Sequence, residues 1–394
     1  MSGIDLGNPE FLADPYPVYQ KLRDANAPLW LAHGGPTGGM WLFTRYQDVV
    51  TLFKEAHTTK DATRFTPPEQ VTPFDHNMLG KDPPDHSRLR SLANQAFTPN
   101  RVKELEPRIE HIADKLISQV HPHGGMEFMA DFALPLPVIV IAELLGVPPD
   151  ERETFHAWSN HMVTAIDAVN TTEAKAKQSQ AAAIALAGYF ADLVRRRRQQ
   201  PKDDLISALT LARDAEDRLT EDELLAMCML LLIAGHETTV NLLGNGLLTL
   251  LGHPDQRAQL KSRPELMPSA VEEILRFESP VQRATFRATT EAFAIGGTTI
   301  DQGQPVSAVI GAANRDPDQF PQPDTFDITR QPNRHLAFGL GLHFCLGAPL
   351  ARAEARIGFA RLLERLPNLQ LASQTPDWSP NTFFRGLRTL PVTF

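Results

Sequence analysis

The chain of 394 residues is 42% hydrophobic and 22% charged, which excludes a disordered or fibrous protein. Its length is sufficient for one large buried core or for two ordinary domains. Its net charge of −9 argues against a nucleic-acid-binding protein, because such proteins usually present a basic patch.

The sequence carries no signal for export or for a membrane. Residues 1–7 are polar and acidic, unlike a signal peptide. The longest apolar run, residues 224–234, has 11 residues, whereas a membrane-spanning helix needs about 20. No repeat and no Gly/Ser linker divides the chain. We therefore expect a single domain over residues 1–394, located in the cytoplasm, that binds neither membrane nor nucleic acid.

Two helices are predicted in the first half of the chain. Apolar residues recur every three or four positions between 99 and 121, which places them on one helix face. The alanine-rich stretch 181–198 ends in the arginine run Arg195–Arg198. Basic residues suit a helix C-terminus, so we interpret this run as a solvated helix end rather than a binding patch.

A long helix is predicted near the centre of the chain. Thr220 and Glu223 have the spacing of a capping box. Apolar residues then continue to Leu251, where Gly252 and Pro254 end the helix. About 31 residues at 1.5 Å each span about 46 Å. Because this central helix is apolar on nearly every side, it must run through the core.

Strand patterns are concentrated late in the chain. Residues 293–295 and 298–300 flank two glycines, which predicts a hairpin. Residues 306–310 follow as part of the same hairpin unit after a turn at Gly303. Residues 311–337 are rich in Asn, Asp and Pro and predict an irregular loop. The fold class is therefore mainly α with a small β region.

The segment 338–347 carries the strongest chemical signal. Cys345 lies just before a predicted helix, where unpaired N–H groups and the helix dipole favour a thiolate. The flanking glycines let the backbone approach a large flat group, and Phe338 would cover the sulfur from water. A dry thiolate that is open on one side is what an axial iron ligand needs. Cys228, among Met and Leu residues of the central helix, is interpreted as core filler.

This segment resembles the haem-binding loop of the cytochrome P-450 haem-thiolate monooxygenases, Phe-Gly-x-Gly-x-His-x-Cys-x-Gly, at each named position. The resemblance implies the cytochrome P-450 fold, with a long central helix over the haem. It also implies haem b, iron protoporphyrin IX, as the cofactor. Cys345 would be the axial ligand of the haem iron, and Phe338, His343 and Gly347 would be further haem contacts.

A second motif lies on the central helix. Residues 234–239 are similar to the family's oxygen-activating motif, Ala/Gly-Gly-x-Asp/Glu-Thr-Thr. The resemblance implies that Glu237 and Thr238 are catalytic. Ala234 and Thr238, one helical turn apart, would face the haem. Gly235 would leave room for dioxygen.

Two other interpretations of this motif deserve weight. Thr238 could simply donate a hydrogen bond to a backbone carbonyl. His236 and Glu237 begin the zinc-binding pattern His-Glu-x-x-His, but position 240 is valine, so the second ligand is absent and the zinc interpretation fails.

Two further motifs occur in the family's chain order. Glu273 and Arg276 match Glu-x-x-Arg and would pair on one helix face, with a structural role beneath the haem. His86 and Arg90 match His-x-x-x-Arg and would bind a haem propionate. The resemblance also assigns Arg287 and His343 to the propionates, which makes four candidate propionate contacts: His86, Arg90, Arg287 and His343.

The resemblance implies a monooxygenase that uses O2 to hydroxylate or epoxidise a small molecule. The chain has no dinucleotide fingerprint after a strand, and one remaining cysteine cannot hold an iron–sulfur cluster. NAD(P)H would therefore act only indirectly, through a separate ferredoxin or flavodoxin and its reductase. The glycine-rich stretch 34–39 is interpreted as a turn. Four arginines are candidate contacts for the electron donor: Arg88, Arg101, Arg334 and Arg352.

By resemblance, the substrate pocket is lined by residues 65–79, 155–170, 231–234, 281–286 and 383–384. These stretches are mostly apolar, which favours a lipophilic substrate and leaves steroid, terpenoid, fatty acid and polyketide open. The candidate lining residues are Phe74, Leu231, Ala234, Val281, Ala284 and Phe384.

Two alternative functions are kept. One is a haem-thiolate enzyme that uses peroxide or does not oxygenate; the intact Glu237-Thr238 pair argues against it. The other is a non-enzymatic haem-binding sensor, which would not need the long, interrupted central helix. We expect a monomer.

Overall fold

The computed structural model describes residues 6–32, 38–67, 71–151, 154, 157–162, 172–212, 219–373 and 375–394. The α-helices are Pro9–Ala13, Tyr16–Asp24, Tyr46–Lys54, Asp85–Ala96, Pro99–Val120, Pro135–Leu145, Glu173–Gln199, Leu205–Ala212, Glu221–Gly252, Pro254–Ser262, Met267–Phe277, Ile310–Ala313 and Ala348–Arg365. Single-turn 3-10 helices lie at Ala62–Arg64, Pro73–His76, Met78–Gly80, His121–His123, Pro149–Glu151, Pro264–Leu266 and Gly341–His343, and a π-helix at Met129–Ala133. Residues 157–162 are also helical.

The central helix, Glu221–Gly252, is confirmed with its predicted cap. The Thr220 hydroxyl accepts from the Glu223 amide at 3.2 Å, and the Glu223 carboxylate accepts from the Thr220 amide at 2.9 Å. The helix is long and apolar enough to cross a membrane, but 72% of its most apolar window is buried inside the protein. Burial of that kind is typical of a core helix.

The core surrounds the central helix. The helices Pro99–Val120, Pro135–Leu145 and Ala348–Arg365 each supply six or seven buried side chains of the main apolar cluster, which also contains side chains of the central helix. Cys228 lies fully buried in this cluster, as predicted, and burial raises the pKa of its thiol to about 12. The molecule therefore keeps one cysteine, Cys345, accessible for chemistry.

The strands are short and spread along the chain: β1 Leu29–Ala32, β2 Gly39–Phe43, β3 Thr58–Thr59, β4 Gly125–Glu127, β5 Ala288–Thr289, β6 Phe293–Ile295, β7 Thr298–Ile300, β8 Val306–Ala308, β9 Gln370–Leu371, β10 Asp377–Trp378, β11 Leu387–Thr389 and β12 Pro391–Thr393. They form the sheets β1-β2-β8, β4-β12-β9, β3-β5, β6-β7 and β10-β11. The glycine-rich turn predicted at residues 34–39 lies mostly outside the described residues.

The late hairpin is confirmed in part. β6 and β7 pair in antiparallel register, and Gly296 and Gly297 have φ angles of +56° and +76°, as a tight hairpin turn requires. The prediction was wrong for the last strand, because β8 pairs in parallel with β2. All three β8 residues are buried, so this strand needs a partner inside the protein rather than an exposed hairpin edge.

The prediction that the run Arg195–Arg198 is a solvated helix end holds for three of its four arginines. Arg195, Arg196 and Arg198 are exposed at the end of the helix Glu173–Gln199, as a solvated helix end requires. Arg197 is buried, pairs with Asp204 and donates to the carbonyl of Gly146 at 2.6 Å. The chain after the helix folds back over it, which a helical pattern alone does not indicate.

Candidate active site

The loop that carries Cys345 is shaped by its glycines and by the helix that follows. Gly339 and Gly341 have φ angles of +70° and +74°, a region that strains other residues. The Cys345 amide donates to the carbonyl of Phe338 at 2.9 Å, which closes the loop. The helix Ala348–Arg365 begins three residues after the cysteine. Cys345 therefore lies at a helix N-terminus, as the sequence predicted.

The sulfur of Cys345 has a mixed environment. Solvent reaches this residue, yet the surrounding protein is the largest influence on its pKa and raises it. The amides of Gly347 and Ala348 and the charges of Arg90 and Arg352 act in the opposite direction. The thiol thus keeps its proton on its own, whereas a positive metal ion at the sulfur would displace that proton. These surroundings of the Cys345 sulfur suit a metal ligand.

Phe338 is held beside this loop by a charged neighbour. The Arg352 guanidinium lies 4.5 Å from the centre of the Phe338 ring. The same guanidinium donates to both carboxylate oxygens of Glu272, at 2.7 and 2.8 Å. The sequence did not indicate Glu272 as part of the site. That Phe338 covers the sulfur stays a prediction.

Five basic side chains converge where the propionate contacts were predicted; we call them the basic cradle, and they are Lys60, His86, Arg90, Arg287 and His343. The rings of His86 and His343 have centroids 4.1 Å apart, and His86 Nδ1 is buried without a partner. Burial, followed by the charges of the other four groups, lowers the pKa of His343 to about 2. Such crowding of positive charge is unfavourable, and two carboxylates in the cradle would relieve it. The cradle therefore fits the propionates of a haem.

The sequence missed Lys60. A lysine in the polar stretch Thr58–Asp61 is typical of a surface turn, and no motif marks it. Arg90 and Arg287 also have partners within the chain: Arg90 donates to the carbonyl of Phe344 and Arg287 to the hydroxyl of Thr58, both at 2.7 Å.

The motif at residues 234–239 interrupts the buried surface of the central helix. Ala234 is exposed, although residues 231–233 are buried. The Thr238 hydroxyl donates to the Ala234 carbonyl at 3.2 Å, and its lone pairs can still accept a hydrogen bond. Burial raises the pKa of Glu237, and Asn241 donates to its carboxylate at 3.5 Å. A carboxyl with a raised pKa holds and releases a proton near neutral pH more readily than an ordinary glutamate.

Gly235 lies where the central helix packs closely against another helix. A Cβ atom at this position would lie 2.8 Å from Cδ1 and 2.9 Å from Cγ1 of Ile141, on the helix Pro135–Leu145. The missing side chain thus lets two helices pack closely. That Gly235 also leaves room for dioxygen stays a prediction.

Gly235→Ala should accordingly affect stability. We expect a loss of about 1–3 kcal/mol, because the added methyl overlaps Ile141. Chemical denaturation of Gly235→Ala, Ile141→Ala and the double variant measures it. The double variant should lose less than the sum of the two single variants. Normal stability with reduced use of dioxygen would contradict the packing role.

The polar groups of the motif are satisfied inside the protein. His236 is buried, with Nδ1 2.8 Å from the Leu232 carbonyl and Nε2 3.2 Å from the Ser159 hydroxyl. Among the described residues, no group of three His, Cys, Asp or Glu side chains could hold a metal ion. Ser159 lies in the predicted pocket lining 155–170, but its contact with His236, 77 residues away in the sequence, was not predicted.

Glu273 and Arg276 form a fully buried pair. Arg276 donates to both carboxylate oxygens of Glu273 at 2.8 Å. It also donates to the carbonyls of Asn314, Pro323 and Thr325 at 3.0, 2.7 and 3.1 Å. The pair therefore ties the irregular loop to the helix Met267–Phe277.

A third charged residue, which the sequence did not indicate, completes this network. Arg330 donates to Glu273 at 3.1 Å and to the carbonyl of Pro321 at 2.8 Å. Its exposure is low, so it shares the burial of the pair.

The predicted pocket residues lie in two neighbouring parts of the core. Val281 and Phe384 form an antiparallel bridge, and Phe74 and Leu231 belong to the main apolar cluster or pack against it. Ala284 packs against a second apolar cluster, which Val281 also contacts. Most of the lining predicted at 155–170 lies outside the described residues. The pocket assignment stays a prediction.

Three of the candidate electron-donor contacts are paired with acids. Arg88 pairs with Glu223, Arg101 pairs with Asp203, and Arg352 pairs with Glu272. Their positive charge is thus partly neutralised within the chain. The fourth candidate, Arg334, is exposed.

Comparison with known proteins agrees with this geometry. The family model described as Cytochrome P450 matches residues 11–262 and 258–391. The chain is 45% identical to the vitamin D(3) 25-hydroxylase of Pseudonocardia autotrophica, over 99% of this chain and 96% of that one. It is 43% identical to the cytochrome P450 monooxygenase PikC of Streptomyces venezuelae, over 99% and 94%. The crystal structure of the myxobacterial cytochrome P450 CYP267B1 in complex with myristic acid superposes with a TM-score of 0.93 at 43% identity, over 99% and 98%.

The fold and the cysteine loop define a haem-thiolate oxidoreductase. The chain belongs to the cytochrome P450 family, whose fold the structure has. It is a haem-dependent monooxygenase. Its cofactor is haem b, its co-substrate is O2, and its electrons come from redox partners.

Proposed function

We propose that this monooxygenase hydroxylates or epoxidises a lipophilic small molecule at a haem held by Cys345. The observation that carries the proposal is the accessible Cys345 thiol, whose sulfur accepts hydrogen bonds from two backbone amides at a helix N-terminus. The basic cradle supports the same position for the cofactor, because it supplies the positive charge that two propionates require.

The remaining cofactor contacts follow from the same placement. His86, Arg90, Arg287 and His343 would hold the propionates, while Phe338, Gly347, Ala234 and Thr238 would lie against the porphyrin. When bound, the haem supplies the redox chemistry that activates O2, and a thiolate ligand favours O–O cleavage. The chain's own contribution is orientation, exclusion of water and control of protons.

Glu237 and Thr238 are the proposed proton-handling pair. The raised pKa of Glu237 lets its carboxyl keep a proton at a higher pH than an ordinary glutamate does. The Thr238 hydroxyl donates to the Ala234 carbonyl, and its oxygen can at the same time accept a hydrogen bond from a water molecule. The hydroxyl would thus hold a proton donor at a fixed place.

Thr238→Ala should uncouple electron use from product formation. We expect substrate binding and haem content to be unchanged, while a larger share of NAD(P)H is consumed to form hydrogen peroxide. Stoichiometry of NAD(P)H, peroxide and product measures this share, with Thr238→Ser as the matched control that keeps the hydroxyl. Unchanged coupling in Thr238→Ala would refute the role.

A lipophilic substrate is supported by the apolar pocket candidates and by the relatives. One relative hydroxylates vitamin D(3), and a similar structure holds myristic acid. Titration of the ferric protein with a panel of steroids, terpenoids, fatty acids and polyketides, followed by the spin-state change of the haem, tests the class. Responses confined to small hydrophilic compounds would contradict it.

Electrons are proposed to come from a separate ferredoxin or flavodoxin with its reductase, in a cytoplasmic, monomeric enzyme. Supply of these proteins should support turnover with O2 and NAD(P)H. Turnover that proceeds with peroxide and never with O2 would favour the peroxide-using alternative.

A further inference from the structure

Lys60 is a buried cation whose ammonium group is hydrogen-bonded to a neutral side chain. Its side chain is 6% exposed, and Nζ donates to the hydroxyl of Thr285. Burial, followed by the charge of Arg287, lowers its pKa to about 7. Burial of an ammonium group that is not paired with an anion is unfavourable, so Lys60 at this position destabilises the protein when no ligand is bound.

The nearest acid is occupied by other groups. Asp82 accepts the Lys60 backbone amide at 2.9 Å through one carboxylate oxygen and the Thr59 hydroxyl through the other. It also lies 3.7 Å from the guanidinium of Arg64. Asp82 therefore fixes the backbone at Lys60 and offsets its charge only from a distance.

Lys60 and Arg287 are brought together by strand pairing. β3 and β5 are antiparallel, with Thr59 opposite Ala288, so the next positions in register are Lys60 and Arg287. Like charges opposite each other in a sheet are destabilising. The sheet nevertheless holds two cations side by side at the edge of the basic cradle.

Each of these two cations donates a hydrogen bond to a threonine on the other cation's segment. Arg287 donates to Thr58, on the Lys60 segment, and Lys60 donates to Thr285, on the Arg287 segment. Each of these hydrogen bonds uses one N–H donor of its cation, whereas an ammonium group has three N–H donors and a guanidinium group has five. The charge of Lys60 also acts on His86 and His343, so it belongs to the same cradle.

We propose that Lys60 binds a haem propionate together with Arg287, as a cofactor-binding residue outside the family motifs. The inference rests on the proposed position of the haem. It accounts for the juxtaposed cations, because a carboxylate between them turns repulsion into attraction.

The test compares haem with its dimethyl ester, which lacks the propionate charges. Wild type, Lys60→Met and Lys60→Arg are loaded with each cofactor, and haem loss to excess apomyoglobin is followed. Lys60→Met should lose haem about 10-fold faster than wild type, as expected for one charge-assisted hydrogen bond, whereas Lys60→Arg should stay within about 3-fold. With the dimethyl ester, Lys60→Met and wild type should lose the cofactor at the same rate.

Lys81→Met is the matched control, because Lys81 pairs with Asp61 at 3.4 Å in the same region. Its haem loss should equal that of wild type. Unchanged haem loss in Lys60→Met, or equal acceleration with haem and ester, would overturn the proposal. A wild type without a thiolate-type carbon monoxide spectrum would instead refute the proposed function, so the two failures are distinguishable.

Discussion

Cys345→Ser should abolish O2-dependent product formation. The serine hydroxyl is neutral at physiological pH and cannot replace a thiolate as an electron-donating ligand. The cradle residues do not include Cys345, so the variant should still take up haem. Product formation with a surrogate ferredoxin, reductase, NAD(P)H and O2 measures the effect, and we expect no activity above background.

The second cysteine provides the matched control. Cys228 is fully buried in the central helix, and no role in the site is assigned to it. Cys228→Ser should retain turnover, at some cost in stability because a hydroxyl replaces a buried thiol. Turnover in Cys345→Ser equal to that in Cys228→Ser would contradict the assignment.

Arg276→Leu should be the most destabilising single change. It leaves the buried carboxylate of Glu273 with a reduced set of partners and removes donors from three carbonyls of the irregular loop. Loss of one partner of a buried ion pair costs about 3–5 kcal/mol. We expect low yields of folded, haem-loaded protein, measured by the unfolding midpoint and the haem-to-protein ratio.

Arg276→Lys tests whether the charge alone is sufficient, and an exposed ion pair serves as the control. Lysine keeps the charge but not the fork that binds both oxygens of Glu273, so it should restore little. Arg263 pairs with Glu265 at 3.1 Å, and both side chains are more than half exposed. Arg263→Leu should change stability by less than about 1 kcal/mol. Similar losses in Arg263→Leu and Arg276→Leu would show that burial of the pair does not matter.

The sequence predicted the parts that depend on local patterns. The central helix carries its own cap and apolar run, and the cysteine loop carries glycines whose positive φ angles the structure requires. Glu273 and Arg276 are three positions apart, so one helix brings them together. Each of these features is encoded within a short stretch of chain.

Features that depend on distant partners were missed or misjudged. β8 is buried against β2, and Arg197 is buried against Asp204 after the chain turns back. Gly235 is explained by Ile141 on another helix. Lys60 meets Arg287 only because two short strands pair. No local periodicity encodes such contacts, since each needs the tertiary fold first.

The carbon monoxide spectrum of the reduced, haem-loaded protein tests the central claim most directly, because its absorption maximum reports the ligand opposite the carbon monoxide. The account predicts the thiolate-type band in wild type and in Cys228→Ser, and its absence in Cys345→Ser. An imidazole-type band in wild type, or an unchanged thiolate band in Cys345→Ser, would contradict the assignment of Cys345 as the iron ligand.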